Sequence, residues 1–470
     1  MEGVCHCIYL ITPVVRNYDW GMPARSSLVY RLHAHGAPGA CLGNLENTPF
    51  AELWIGDHDS APCKVQQLRS HVTGEDGLQF RANDCNGVAV NEAAAAAAGE
   101  SPGTGPEAAP VERLSAVYRR MGMQLFGREV IGPRILLKVL SIARPLSLQV
   151  HPDPECALRM YSQKHPSIVD SQAKPEMSVA LTRFRAMCGL RPLGEIVSYA
   201  ERYPPFARMI GGLLEEMRQA EGGNCGGTYY RLCERLLLEQ EELAAVDALV
   251  DLVKQRPERD LSEEVFLTLN GTYGTEYAIV FAFVLNCIEV QRGDAFFIPP
   301  NTLHSYISGD CVELMNNSDN VIRGGLTSKA TDSKAVLELI GREVEKGNAF
   351  PQAIDYVRSE EVSSYVVRYQ PSHPLCNFAV WRFVVPPKTR VAQNFNNGDQ
   401  PFLCLVVEVH GDVRVSCGTA VGAAKQNEGS MCIESFSVVT GDAFFMCPNL
   451  TLDVANNGDS DFVLYLGTET

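Results

Sequence analysis

A chain of 470 residues, 46% hydrophobic and 20% charged, has ample material for a buried core and is expected to divide into two or three domains. Its net charge of −16 argues against nucleic acid or an anionic membrane as partner, since either needs a basic face. No stretch has the roughly 18 apolar residues of a membrane span, Met1 to His6 lacks the basic-then-apolar order of a secretory signal, and the 16 cysteines include no C-x-x-C pair, so a cytosolic monomer with reduced, mostly buried thiols is expected.

Cys5-His6-Cys7 is a lone cluster at a terminus and reads as surface. Leu53 to Ile55 and Ile135 to Leu140 have the texture of short strands. Between them, residues 84–112 are mostly Ala, Gly, Pro and Glu, with six alanines at 93–98, and read as a surface insertion without a packed face. In Ser147-Leu148-Gln149-Val150-His151 the polar residues alternate with apolar ones, so a strand there places Ser147, Gln149 and His151 on one side. Lys174-Pro175-Glu176 follows, a cation and a carboxylate fixed about a proline. Over 155–265, apolar residues at three- and four-residue spacing in Leu193–Leu214 and Tyr229–Val253 predict amphipathic helices. The continuous apolar run Ala278 to Leu285 suits a buried strand.

Gly293-Asp294-Ala295-Phe296-Phe297-Ile298-Pro299-Pro300-Asn301 recurs as Gly441-Asp442-Ala443-Phe444-Phe445-Met446-Cys447-Pro448-Asn449, identical at seven of nine positions. Each copy is a turn feeding a strand that ends at a Pro-Asn corner, as in double-sheet β architectures. Either a domain is duplicated or a common pattern has arisen twice. Three residues past the first copy's Asn301 stands His304; the matching position of the second is Leu452, so chemistry is expected in the first copy only. His304, outside any helix, is expected to be partly exposed at the mouth of the β structure. Cys311 to Met315 predicts a strand with Glu313 facing away from Val312 and Leu314, and Arg323 and Lys329 flank a glycine-containing turn that could hold a phosphate. Lys334 to Glu345 predicts a helix, and 376–470 returns to short strands.

Gln149, His151, Glu176 and His304 make a nitrogen and oxygen donor set without thiolate. It suits Zn²⁺ and would also accept Mn²⁺, Fe²⁺ or Co²⁺. Taken one at a time, each has a plain reading as an edge-strand or turn residue. An iron-dependent oxidase and a non-catalytic sugar-phosphate-binding protein remain open on these residues alone; the first has no need of Lys174, Arg323 and Lys329 around one cavity.

Tyr18-Asp19-Trp20-Gly21, Ala51 to Gly56, Pro145 to Pro152, Lys174 to Met177, Cys188 to Pro192, His304-Ser305-Tyr306 and Asp319 to Lys329 together resemble the type I phosphomannose isomerases, in the same order and across residues 18–329. Ser305, where alanine is usual, and Pro299-Pro300 before Asn301 depart from the family without removing a ligand. The resemblance implies a mainly β fold of two cupin-like jelly-roll barrels plus a helical insertion. Residues 1–154 and 266–330 would form the catalytic barrel, 155–265 the insertion, and 331–470 a second barrel without ligands and with a leading helix. It implies one Zn²⁺ per chain on Gln149, His151, Glu176 and His304, and interconversion of mannose 6-phosphate and fructose 6-phosphate. It further implies that Arg323, Glu313, Tyr306 and Lys329 line the cleft, that Ser147 and Lys174 contact the phosphate, and that Trp20 lies nearby. An aldose–ketose isomerisation through a cis-enediol needs a base near both carbons, and Glu313 is the candidate.

Overall fold

The computed structural model describes residues 8–35, 45–66, 112–126, 129, 132–220, 225–240, 243–348, 350–419 and 434–470; Cys5-His6-Cys7 and the alanine-rich stretch, apart from Glu112, lie outside them. The architecture is mainly β, and every paired strand is antiparallel to its neighbour. One sheet runs Asp355–Val357, Ala295–Ile298, Glu176–Ala180, His304–Asn316, Ile135–Ile142, Glu52–Ile55, Val14–Arg16, with Leu148–Val150, Phe184–Leu190, Leu285–Val290 and Ile322–Gly325 branching from it. A second sheet of eight strands carries Phe378–Val385, Phe462–Glu469, Phe402–Glu408 and Ala443–Met446 at its centre, and a sheet of four contains Thr389–Asn394 and Leu450–Asn456.

Strand alternation divides the first sheet into two unlike faces. Leu53, Val139, Val312 and Val179 lie side by side across four strands, as do Ile55, Leu137, Leu314 and Met177. These residues share one apolar core with Val380, Leu403 and Phe445 of the second sheet. The sheets approach so closely that a side chain on Gly467 would place its Cβ 2.8 Å from Leu314 Cδ1. The opposite face carries Trp54, Lys138, Glu313 and Ser178 in one row, with Glu176 on the same side two residues from Ser178. Chemistry therefore sits on the face turned away from the shared core.

Helices fill the interval between Phe184–Leu190 and its partner Leu285–Val290, from Leu193–Arg202 through Leu261–Tyr273. The helical stretch expected over 155–265 is thus interrupted by two strands of the first sheet, Glu176–Ala180 and Phe184–Leu190. The expected strand at Ala278–Leu285 is instead a 3₁₀ helix, Tyr277–Phe283, with every residue buried. A short, uniformly apolar run carries no period that separates strand from helix; here the rings of Tyr199, Phe206 and Phe266 gather around Phe283 at 4.8, 5.6 and 4.9 Å. The helix expected at Lys334–Glu345 spans Ser333–Glu345, capped by Asp332. Among the described residues no helix is long and apolar enough to cross a membrane, and the described cysteines other than Cys417 and Cys447 are free thiols.

The two halves exchange strands. Ile8–Thr12 pairs with Ala443–Met446 in the second sheet, and Asp355–Val357 closes the edge of the first. The sequence repeat is also a backbone repeat: Gly293 and Gly441 have φ of 92° and 91°, and Asn301 and Asn449 have 61° and 58°. In each copy the Asp carboxylate accepts from the backbone N–H three residues earlier, Gln291 or Val439, at 2.8 Å.

Candidate metal centre and active site

Leu148–Val150 buries its two apolar residues completely and leaves Gln149 half-buried, opposite His304 on one neighbouring strand and Arg323 on the other. Two residues on, His151 is 2% exposed, and Glu176 and His304 are 2% and 0% exposed. The partly exposed setting expected for His304 is not what forms: it opens a strand whose first four residues are buried.

The two imidazoles are locked in the same way. His151 Nδ1 lies 2.7 Å from the Asn320 carbonyl oxygen and His304 Nδ1 2.8 Å from that of Thr302. A carbonyl only accepts, so each Nδ1 carries the proton and each Nε2 presents a lone pair. Those lone pairs converge on one carboxylate, with His151 Nε2 3.2 Å from Glu176 Oε1 and His304 Nε2 3.5 Å from Glu176 Oε2. Neither Nε2 nor Glu176 Oε2 makes a hydrogen bond, although all three are buried. Two ligands about 2.0–2.1 Å from a tetrahedral ion stand roughly 3.3 Å apart. The two histidine-to-carboxylate distances match that spacing, and the three residues offer donor atoms all within 4.8 Å of one another.

Burial and then the Lys174 ammonium push the His151 imidazole down to about 4. Burial alone would raise the Glu176 carboxyl, yet Lys174 and the imidazoles outweigh it and hold that group well below its ordinary value. Both thus stand as neutral imidazole and carboxylate, the forms that bind a metal. Lys174 is 7% exposed with Nζ 3.0 Å from Glu176 Oε1. Expected beside a distant phosphate, it stands at the metal end of the site.

Glu313 is buried one row away, its carboxylate 3.6 Å from Lys138 Nζ. Burial and the nearby Glu176 charge raise it to about 7, against the lowering pull of Lys138 and Lys174. Tyr306, 1% exposed, is held edge-on by Phe184 and Phe296 and shares a 2.8 Å hydrogen bond with Ser178, the ladder neighbour of Glu313. Arg323 is half-buried on Ile322–Gly325, and its guanidinium has no ion pair or hydrogen bond among the described residues. Burial lowers its pKa. Trp20 stacks on Tyr18 at 5.7 Å, and the Lys329 ammonium, at the exposed lip, lies 5.7 Å over the same Tyr18 ring. Ser147 is half-buried just before the Gln149 strand.

The sequence reading missed Glu52, Trp54 and Lys138 as site residues. Lys138 pairs with Glu52 at 3.7 Å as well as with Glu313, and lies 4.8 Å over the Trp54 ring. The signal was present: Lys138 is the only charge in Ile135–Ile142, eight residues that are all buried. A lone cation in such a run demands buried partners of opposite sign.

A mainly β chain with a buried His–Glu–His cluster, beside a carboxyl poised near neutrality and an unpaired arginine, is a metal-site protein with acid–base capacity. The family model described as phosphomannose isomerase type I, catalytic domain, matches residues 8–87 and 115–193. A probable mannose-6-phosphate isomerase of Dictyostelium discoideum is 32% identical over 332 residues, covering 69% of this chain and 67% of that protein. Mannose-6-phosphate isomerase of Bos taurus is 28% identical over 437 residues, covering 90% and 92%. A crystal structure of phosphomannose isomerase from Salmonella typhimurium superposes with a TM-score of 0.67 at 18% identity, covering 98% of this chain and 99% of the other. A zinc-bound mannose 6-phosphate isomerase does so at 0.64 and 18%, over the same shares. The chain belongs to the type I phosphomannose isomerase family.

Proposed function

We propose that the chain interconverts mannose 6-phosphate and fructose 6-phosphate through a cis-enediol, with one zinc ion on Gln149, His151, Glu176 and His304. The observation that carries this is the set of three buried donor atoms without hydrogen-bond partners, at the spacing of ligands on one ion. Gln149 is the fourth donor by its ladder position beside His304. The names of the relatives supply the substrate class, and the zinc-bound neighbour supports the choice of metal.

When bound, zinc would polarise the substrate's carbonyl or hydroxyl and favour negative charge on oxygen. Glu313, with its pKa near neutrality, takes the proton from one carbon and returns it to the other. Tyr306 acts at one remove by fixing Ser178 opposite Glu313. The unpaired Arg323 guanidinium offsets the developing enediolate charge. Lys174 serves the reacting end, given its contact with Glu176, while Ser147 and the exposed Lys329 are left for the phosphate, and Trp20 with Tyr18 forms the wall between.

The same reading takes the sheets as two cupin-like barrels. The catalytic barrel draws on 1–192 and 274–330, with helices inserted at 193–273 and the second barrel at 331–470 after strand exchange. It places a monomer in the cytosol. A coupled assay with mannose 6-phosphate should show turnover that chelation abolishes and zinc restores. Turnover indifferent to chelation would overturn the metal role; a zinc-loaded protein inert on mannose 6-phosphate would overturn the substrate.

A further inference from the structure

The loop between the repeated strand and His304 does more than end the strand. Asn301 is 2% exposed and adopts φ 61°, a region asparagine tolerates better than most side chains. Its backbone N–H donates to the carbonyl of His151 at 2.7 Å. Its Oδ1 accepts from Asp153 N–H at 3.0 Å, and its Nδ2 donates to Asp153 Oδ2 at 2.9 Å and to Glu343 Oε1 at 2.7 Å. Lys346 clasps the same Asp153 carboxylate from the end of the Ser333–Glu345 helix. One residue after Asn301, the Thr302 carbonyl fixes the His304 ring. Segments 151–153 and 301–304, far apart in sequence, are thus knitted together by one amide side chain, and each carries an imidazole ligand.

We propose that Asn301 is a positioning residue for the metal, setting zinc affinity by holding the His151 and His304 segments in mutual register. The proposal rests on the zinc reading above. The second repeat separates this role from plain fold maintenance. Asn449 has the same left-handed backbone, and its Oδ1 accepts from Asn397 N–H at 3.1 Å, as Asn301 does from Asp153. Asn397, however, follows Phe395, and Asn449 precedes Leu452, so that corner carries no ligand. The contacts to Asp153 Oδ2, Glu343 and, through Asp153, Lys346 belong to the first copy.

The test compares Asn301→Gly with Asn449→Gly, since glycine keeps the positive φ and removes only the amide. Zinc affinity is read by chelator competition on each metal-free protein after circular dichroism has verified folding, and the visible spectrum of the Co²⁺-loaded form reports ligand geometry. Removing a residue that orients ligands typically costs about 10- to 100-fold in metal affinity. Asn301→Gly should lose that much and alter the cobalt spectrum; Asn449→Gly should change neither. Should Asn301→Gly fail to fold, Lys346→Met, which removes the outer ties to Asp153 and Glu343 and leaves Asn301 in place, should weaken zinc in the same direction. Wild-type affinity and spectrum in Asn301→Gly, or equal losses in both glycine variants, would overturn the proposal. Wild-type protein that takes up no zinc would overturn the metal reading and this one with it.

Discussion

The two repeats share a backbone and differ in what they enclose. In the first, Glu176 stands opposite Ile298 of the repeated strand; in the second, Phe402 stands opposite Met446, and each follows a proline. Gln149 faces His304 across the ladder, and Gln393 faces Leu452. Two residues beyond each glutamine come His151 and Phe395, the latter with its ring 4.5 Å from that of Phe402. Ser178 faces Glu313 where Cys404 faces Leu466, and their further neighbours are Lys138 and Trp381. His151, Glu176, His304, Glu313 and Lys138 thus give way to Phe395, Phe402, Leu452, Leu466 and Trp381. The turn and strand recur in both copies, while at the compared positions one copy places a candidate ligand set with its charged neighbours and the other places apolar side chains.

The most direct way to break that contrast is His304→Leu, which gives the first copy the second's residue. Zinc content should fall to background and isomerase activity with it. Thermal stability measured with chelator present should change little, because the unpartnered Nε2 leaves the core while the Thr302 carbonyl loses its donor. A variant that still loads one equivalent of zinc would dissolve the distinction between the copies. Next in size is Glu313→Gln, expected to lower kcat by on the order of 10²–10⁴ while zinc content stays whole. As a base Glu313 works only when ionised, so wild-type kcat/KM should fall as pH drops through about 7, or lower once a bound cation favours the carboxylate. Exchange of the substrate C2 proton with solvent that continues in Glu313→Gln would remove that residue from the role.

Lys138→Met asks whether the buried cation holds the acidic face together. It leaves Glu52 and Glu313 without their shared partner, and breaking a buried pair costs about 3–5 kcal/mol. Lys138 lowers the Glu313 pKa, so its removal should raise it further and move the ascending limb of the activity profile to higher pH. Denaturant unfolding and the pH–rate profile read the two effects separately. An unchanged limb would mean that Lys138 acts on stability alone.

Much of the site was legible before the fold was. Residue type and order singled out Gln149, His151, Glu176 and His304, and strand alternation placed Glu313 on the face away from Val312 and Leu314, where the ladder has it. What escaped depended on partners that no local pattern encodes. Lys138 looks like one lysine in a strand until Glu52, Trp54 and Glu313 arrive from two other strands. Lys174 could not be placed at the metal end without the fold of Glu176 and His151 around it. The apolar run from Ala278 had no period to read, and the pairing of Ile8–Thr12 with a strand near the other end of the chain leaves no trace in either segment alone.

The smallest expected change is the converse substitution, Leu452→His. One imidazole placed among Phe395, Phe402 and their neighbours meets no carboxylate, and its two ladder neighbours are Gln393 and Cys417. The Cys417 thiol is turned to Met446 Sδ at 3.4 Å, which leaves an imidazole and an amide, short of the three or four ligands a zinc site takes. Burying the unpaired ring should cost about 1–3 kcal/mol in denaturant unfolding, while zinc stoichiometry stays at one per chain and isomerase activity is unaffected. Uptake of a second zinc would show that the C-terminal copy keeps a ligand geometry its aromatic side chains merely cover, and the division of labour between the copies would then rest on fewer residues than the ladders indicate.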